Sequence, residues 1–565
     1  MLRTIVFALL LAAAPVRPDA GAPAAPHVTV SLVGSNDLHG HVEALPRLGG
    51  YLANLRRARA RDGGGVLLVD AGDMFQGTLE SNLGEGAAVV RAYNLLGYDA
   101  AALGNHEYDY GPVGPAAAPR TTADDPRGAL KARAAEARFP LLDANLAEAA
   151  SGAPPAWPNI RPTTIVQVAG VKIGVIGMTT MATPRTTMAA NFAGLTVKPL
   201  AATAIAAAQE LRRSGATVVI VAAHAGGSCS RFEPPDDLTS CDQGEEIFAL
   251  ARALSNDAGR PVDAIVAGHT HAGIAHRVAG IPIIESYANG RAFGRIDLVI
   301  DRARGTVVDA RIFHPQMIPA PDKPFTGSYE GTALAPDARV EAALAPAQAA
   351  ARAMRDDKLS VDVARPITRA YRTESPLGNL FADLMRAARH ADVALTNGGA
   401  LREDLPAGAL TYGQLHEAMP FDNGFATIPV TGAELARAVA ANLGRDNGIL
   451  SVSGVRARAT CQRGAIDVAL TRADGRPIGP RDRLTLVTSD FLATGGDGLF
   501  SDEVRARAVL DDGPPIRDAM ADELRARKLP LRPDEPGLYD PARPRLDYPG
   551  RRPMRCGVRS SGDAK

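Results

Sequence analysis

Net charge is missing from this chain, with 62 Lys plus Arg against 62 Asp plus Glu. The balance removes the broad electrostatic footprint of a nucleic-acid polymer or an acidic surface as partner. Cysteine is scarce: there are four, none in a C-x-x-C pair, which argues against a thiolate metal site. Apolar runs long enough for a bilayer are lacking too. The N-terminal run, Ile5 to Ala14, falls short of the ~20 residues needed, and no cysteine lies beside it to accept a lipid. The tail, Arg551 to Lys565, is polar. No stable membrane anchor is expected, and no protein partner is indicated.

What is present at the N-terminus has the three parts of an export signal: Met1-Leu2-Arg3, the apolar run, then small and proline-rich residues through Pro26. Residues 1–26 are therefore expected to be a cleaved leader, delivering the protein to the periplasm or outside the cell. An even cysteine count fits two disulfides in such a compartment. Cys229 and Cys241 flank a loop rich in Pro and Asp just after His224, leaving Cys461 for Cys556. The connectivity stays open at this point, four unpaired thiols being the alternative. A chain of 565 residues exceeds one hydrophobic core, so at least two domains are expected.

Polar residues close a series of short apolar runs in the first half. Val28 to Val33 leads into Asn36-Asp37-Leu38-His39-Gly40, and Val66 to Val69 leads into Asp70-Ala71-Gly72-Asp73. Tyr98 to Leu103 precedes Gly104-Asn105-His106-Glu107-Tyr108-Asp109, Thr217 to Ala223 precedes His224, and Ala264 to Ala267 precedes Gly268-His269-Thr270-His271. Helix-like segments, Ala201 to Arg213 and Glu245 to Leu254 among them, alternate with the runs and predict a layered α/β domain. Ligands in such sheets bind at strand ends. Asp37, His39, Asp73, Asn105, His224, His269 and His271 are thus expected at one edge of a sheet. Seven oxygen and nitrogen donors suit two ions sharing a carboxylate. Imidazole, carboxylate and one amide favour Zn, Mn, Fe or Co over Ca. His106, with Asp109 three residues on to orient it, can donate a proton to a charged substrate oxygen. His41, His276, His314, His390 and His416 lack the strand-end setting and are read as structural.

From Asp337 to about Lys358 an alanine-rich stretch with helical spacing predicts a connecting helix. A second α/β region follows. Asn397-Gly398-Gly399-Ala400-Leu401-Arg402 closes the run Val393 to Thr396, its glycines allowing close backbone approach and its arginine offering a planar donor fork. Met419-Pro420-Phe421-Asp422-Asn423 and Phe491-Leu492-Ala493-Thr494-Gly495-Gly496-Asp497-Gly498 each place an aromatic in an expected loop, as for stacking on a flat base.

The succession Asp-x-His, Gly-Asp, Gly-Asn-His-Glu, His and Gly-His-x-His resembles the calcineurin-like metallophosphoesterases. Asn-Gly-Gly-x-x-Arg, Pro-Phe and Phe-Leu-x-x-Gly-Gly-Asp-Gly resemble the substrate-binding domain of the 5'-nucleotidase branch. The resemblance implies a four-layer β-sandwich flanked by helices over residues 27–332. A linker helix over 333–358, a smaller α/β substrate-binding domain over 359–550 and a polar tail over 551–565 complete it. It implies two divalent metals, one held by Asp37, His39, Asp73 and His271 and the other completed by Asn105, His224 and His269, with Asp73 bridging. His106 and Asp109 become catalytic, Phe421 and Phe491 hold the base, Asp497 contacts the nucleoside, and Arg372, Asn397 and Arg402 bind substrate. The implied activity is removal of the 5'-phosphate of a nucleotide, with UDP-sugars as a further substrate. A 2',3'-cyclic-nucleotide phosphodiesterase with 3'-nucleotidase activity and a nucleotide-binding protein without turnover are the alternatives. Pro112 to Arg127 departs from the pattern as an insertion beside the site.

Overall fold

The computed structural model describes residues 26–114, 116–257, 259, 261–511 and 513–556. The expected leader, apart from Pro26, and most of the expected polar tail lie outside these residues.

Two sheets stack face to face in the first domain. The strands His27–Ser35, Gly65–Asp70 and Ala100–Ala102 run parallel in the middle of a seven-stranded sheet, with the long hairpin Ala292–Asp301 and Thr306–Met317 at its antiparallel edge. A six-stranded sheet centres on the parallel strands Ala264–Ala267, Val218–His224 and Val171–Thr179. Inward-facing Val30, Leu32, Leu67 and Val69 of one sheet pack against Ile173, Val218, Ile220 and Val266 of the other. Alternate residues face outward: Val33 and Leu68 meet the helices Leu45–Arg61 and Ala87–Leu96, while Val219 and Val221 meet Leu200–Arg213 and Glu246–Asn256. The result is the four-layer sandwich that the motifs imply. These central strands are buried on both faces, hence their continuous Val, Leu, Ile and Ala runs.

The connecting helix is Ala338–Arg355, capped by Asp337, whose carboxylate accepts from the Arg339 N–H at 3.0 Å. Val340 and Leu344 belong to the core of the first domain and Ala351 to that of the second. One helix therefore ties both cores together. The second domain holds a five-stranded sheet in the order Leu450–Ser453, Val393–Asn397, Arg483–Ser489, Phe425–Thr431 and Val509–Leu510. Pro376–Arg389 and Ile516–Ala526 cover one face, and Gly432–Leu443 the other. Disulfides join Cys229 to Cys241 and Cys461 to Cys556. Among the described residues no helix is long and apolar enough to cross a membrane.

Candidate metal and substrate site

The seven candidate ligands converge, but from two sheets rather than one sheet edge. Asp37, His39, Asp73 and Asn105 follow strands of the seven-stranded sheet, whereas His224 ends a strand of the six-stranded sheet and His269 and His271 follow another. Strand length and polarity are alike in both sheets, so the runs alone do not distinguish them. Five of the seven have left-handed backbones: Asp37 at φ 50°, His39 at 49°, Asp73 at 57°, His269 at 84° and His271 at 57°. Such conformations cost of order 1 to 3 kcal/mol each in non-glycine residues and persist only where the surroundings hold them. Gly104 is required beside them, because a Cβ there would fall 2.1 Å from Asp73 Oδ1.

Donor atoms of Asp37, His39 and His271 lie within 4.8 Å of one another, and so do those of Asp73, His224 and His269. His39 Nδ1 donates to the Gln76 carbonyl at 2.9 Å, which leaves the Nε2 lone pair facing His271 Nε2 at 3.0 Å. His224 Nδ1 donates to Ala71 O at 2.9 Å, and its Nε2 faces Asp73 Oδ2 at 3.0 Å, Asn105 Oδ1 at 3.1 Å and His269 Nδ1 at 3.2 Å. Asn105 donates its own amide to Thr186 O at 3.1 Å, turning its oxygen inward. Buried Asp37 Oδ1 has no hydrogen-bond partner among the described residues. One proton between lone pairs can satisfy only one acceptor, whereas a divalent cation satisfies several at once. The donor set fits two such ions.

Electrostatics agree. Burial opposes charge on Asp73, yet His224, His106 and His39 hold its carboxyl well below the usual range. Burial pulls His224 down, but Asp73 and Asp37 override it and push the imidazole up to about 10. His269, buried beside His224, drops to about 3. The carboxylates thus favour positive charge beside them.

His106 begins the short turn His106–Tyr108 and touches the cluster twice. Its backbone N–H donates to Asp73 Oδ1 at 2.9 Å, and its ring packs edge-on against the His39 ring, centroids 5.4 Å apart, with Nδ1 2.5 Å from Asp109 Oδ2. Thr187 Oγ1 donates to the other Asp109 oxygen at 3.1 Å. From the second domain, Arg402 Nη2 donates to His106 Nε2 at 2.8 Å, although 296 positions separate the two. The Phe421 ring lies 5.4 Å from the His106 ring, and the Arg402 guanidinium lies 5.4 Å from Phe421.

These groups share a cavity of about 1330 Å³ between the domains. Phe421, Phe491, Asn397, Asp497 and Arg372 also line it, as do Gly114 and Ala117 of the Pro112 to Arg127 insertion. Asn397 Nδ2 donates to Asp497 Oδ2 at 2.8 Å. Arg372 is largely exposed and pairs with Asp446 at 2.8 Å. Phe421 is in a loop as expected. Phe491 is not: it belongs to the helical turn Asp490–Thr494, because Ser489 caps that turn by accepting from Leu492 N.

Two buried carboxylates that the sequence reading left unassigned organise the ligand loops. Glu107 accepts from the N–H groups of Asp73 at 2.8 Å, Met74 at 2.7 Å and Gly104 at 2.7 Å. Glu285 accepts from Thr270 Oγ1 at 2.6 Å and Gly227 N at 3.1 Å, fixing the segment between His269 and His271. Glu107 stood inside a recognised motif; no local signal marks Glu285.

Residues 31–273 match the family model for calcineurin-like phosphoesterases, and residues 354–502 match that for the 5'-nucleotidase C-terminal domain. Endonuclease YhcR of Bacillus subtilis is 27% identical over 491 residues, which cover 83% of this chain and 37% of that protein. Protein UshA of Yersinia enterocolitica is 26% identical over 510 residues, covering 83% of this chain and 86% of that protein. The chain therefore spans little more than a third of the Bacillus relative and most of the Yersinia one. The crystal structure of a 5'-nucleotidase precursor from Thermus thermophilus superposes with a TM-score of 0.72 at 24% identity, over 92% of this chain and 99% of that one. With both domains matched in this order, the chain belongs to the metallophosphoesterases that carry a calcineurin-like domain followed by a 5'-nucleotidase C-terminal domain.

Proposed function

We propose that the protein is a metal-dependent phosphoesterase that removes the 5'-phosphate of nucleotides. The observation that carries this reading is the meeting, in one cavity, of two donor clusters with His106 from the first domain and Arg402 and Phe421 from the second. Asp37, His39, Asp73 and His271 would hold one divalent ion, and Asn105, His224 and His269, together with Asp73, would hold a second. When bound, the pair activates water and neutralises phosphoryl charge.

The protein's own groups do the rest. Arg402 turns its fork from His106 to the phosphate oxygens, a geometry suited to bidentate contact. His106 Nε2, once released, meets the departing ribose oxygen as proton donor, while Asp109 holds the ring by Nδ1 and stabilises its charged form. Phe421 and Phe491 hold the base, Asp497 accepts from the nucleoside, Asn397 orients Asp497, and Arg372 guides the phosphate from the rim. Two disulfides support an exported, periplasmic or secreted protein.

The cavity exceeds the ~300 to 1,000 Å³ of ordinary small-molecule sites, which favours UDP-sugars as a second substrate class. The test is phosphate release by the purified protein with Mn or Zn, comparing 5'-AMP, 3'-AMP and 2',3'-cyclic AMP, with UDP-glucose followed by its products. Preference for 5'-AMP is expected. Preference for the cyclic or 3' compounds would move the reaction to the other phosphoester bond, and tight AMP binding without turnover at full metal occupancy would make it a binding protein.

A further inference from the structure

The loop from Met419 to Gly424 has no helix or strand to satisfy its backbone, so its polar groups must find partners elsewhere. They find them in a built frame. Arg517, only 4% exposed on the helix Ile516–Ala526, donates from Nη1 to Met419 O at 3.3 Å and Phe421 O at 3.2 Å, and from Nη2 to Asp422 Oδ1 at 2.5 Å. Its Nε donates to Tyr412 OH at 2.9 Å, which fixes the guanidinium plane. At the other end of the loop, Asp490 accepts from Asn423 Nδ2 at 2.9 Å and Gly424 N at 3.0 Å, and also from Phe491 N at 2.7 Å. One carboxylate thus joins the loop that carries Phe421 to the turn that carries Phe491. From the first domain, Gln76 Nε2 and Asn82 Nδ2 both donate to Pro420 O, at 2.8 and 3.0 Å.

We propose that Arg517 and Asp490 are positioning residues that set the spacing of Phe421 and Phe491, and so make the site selective for phosphoesters carrying a flat base. This rests on the reading of the two aromatics as base-holding walls. Neither side chain hydrogen-bonds to a candidate metal ligand, to His106 or to Arg402 among the described residues. Asp422 is partly exposed and supplies a counter-charge for the buried Arg517 guanidinium. Nη1, which serves both carbonyls, is what holds the loop under the ring, because a buried carbonyl without a donor is costly.

The experiment compares KM for 5'-AMP with KM for ribose 5-phosphate, which keeps the phosphate and sugar and lacks the base. Wild type, Phe421→Ala, Arg517→Met, Asp490→Ala and Arg517→Lys are measured with the same metal loading and with a melting temperature for each. The ratio of the two KM values is expected to rise about tenfold in Phe421→Ala, Arg517→Met and Asp490→Ala, as loss of one stacking wall demands. Arg517→Lys recovers part of the loss, since a point charge replaces part of the fork. Should Arg517→Met fail to fold, Asp490→Ala and Arg517→Lys make the same comparison. If Phe421→Ala raises the ratio while the frame variants change both substrates equally, the residues are merely structural and the inference falls. If Phe421→Ala leaves the ratio unchanged, the base-holding reading itself is wrong and the inference falls with it.

Discussion

In a His106→Ala variant, kcat for 5'-AMP is expected to fall by about 10² to 10⁴ while the metal content stays at the wild-type level. The two halves of that result have separate structural causes. Asp73 is oriented by the backbone N–H of residue 106, which alanine retains at the same place in the turn His106–Tyr108. The imidazole, by contrast, is held between Asp109 and Arg402 and packs edge-on against the His39 ring, centroids 5.4 Å apart, with no hydrogen bond to a candidate ligand among the described residues. Removing it deletes the proton donor and leaves the ion-holding groups in place. Metal analysis and turnover on the same sample check this, and a variant that loses its metals would show that the side chain supports the cluster.

Asp73→Asn is expected to lose metal and turnover together, with activity down by more than about 100-fold. Outer-shell partners of metal ligands already cost 10- to 100-fold when mutated, so a shared carboxylate should cost more. Asp73 Oδ2 lies 3.0 Å from His224 Nε2 and 3.8 Å from His39 Nε2, between the two donor clusters. An amide there removes a negative charge from both, and when its NH₂ faces inward it presents a donor where acceptors converge. Full activity with two metals per chain would overturn the assignment of Asp73 as the bridging ligand.

Much of this site could be read along the chain because its signals are local. An Asp, Asn or His that closes a buried apolar run marks a strand end whether or not the partner strand is known, and Asp73, Asn105 and His224 are legible in that way. The side of the sandwich is not. Gly65–Asp70 and Ala264–Ala267 are short apolar runs of the same kind, and only pairing assigns them to different sheets. Left-handed backbones at Asp37 and His271 leave only a weak mark, because glycine is the usual choice at those φ values and Asp and His are enriched there only among the other residues. Phe491 sits on a helical turn rather than in the expected loop, because Ser489 two residues earlier caps the turn. The contact between Arg402 and His106 joins two domains and has no counterpart in periodicity or spacing.

Metal reconstitution separates one ion from two. The protein is stripped with a chelator, returned to zero, one or two equivalents of Zn or Mn, and assayed for phosphate release from 5'-AMP at each step. No release is expected from the stripped protein, with a maximum reached only at two equivalents, because Asp73 lies between two donor clusters that could each hold an ion. Release without metal, or a maximum at one equivalent with no gain at the second, would contradict it.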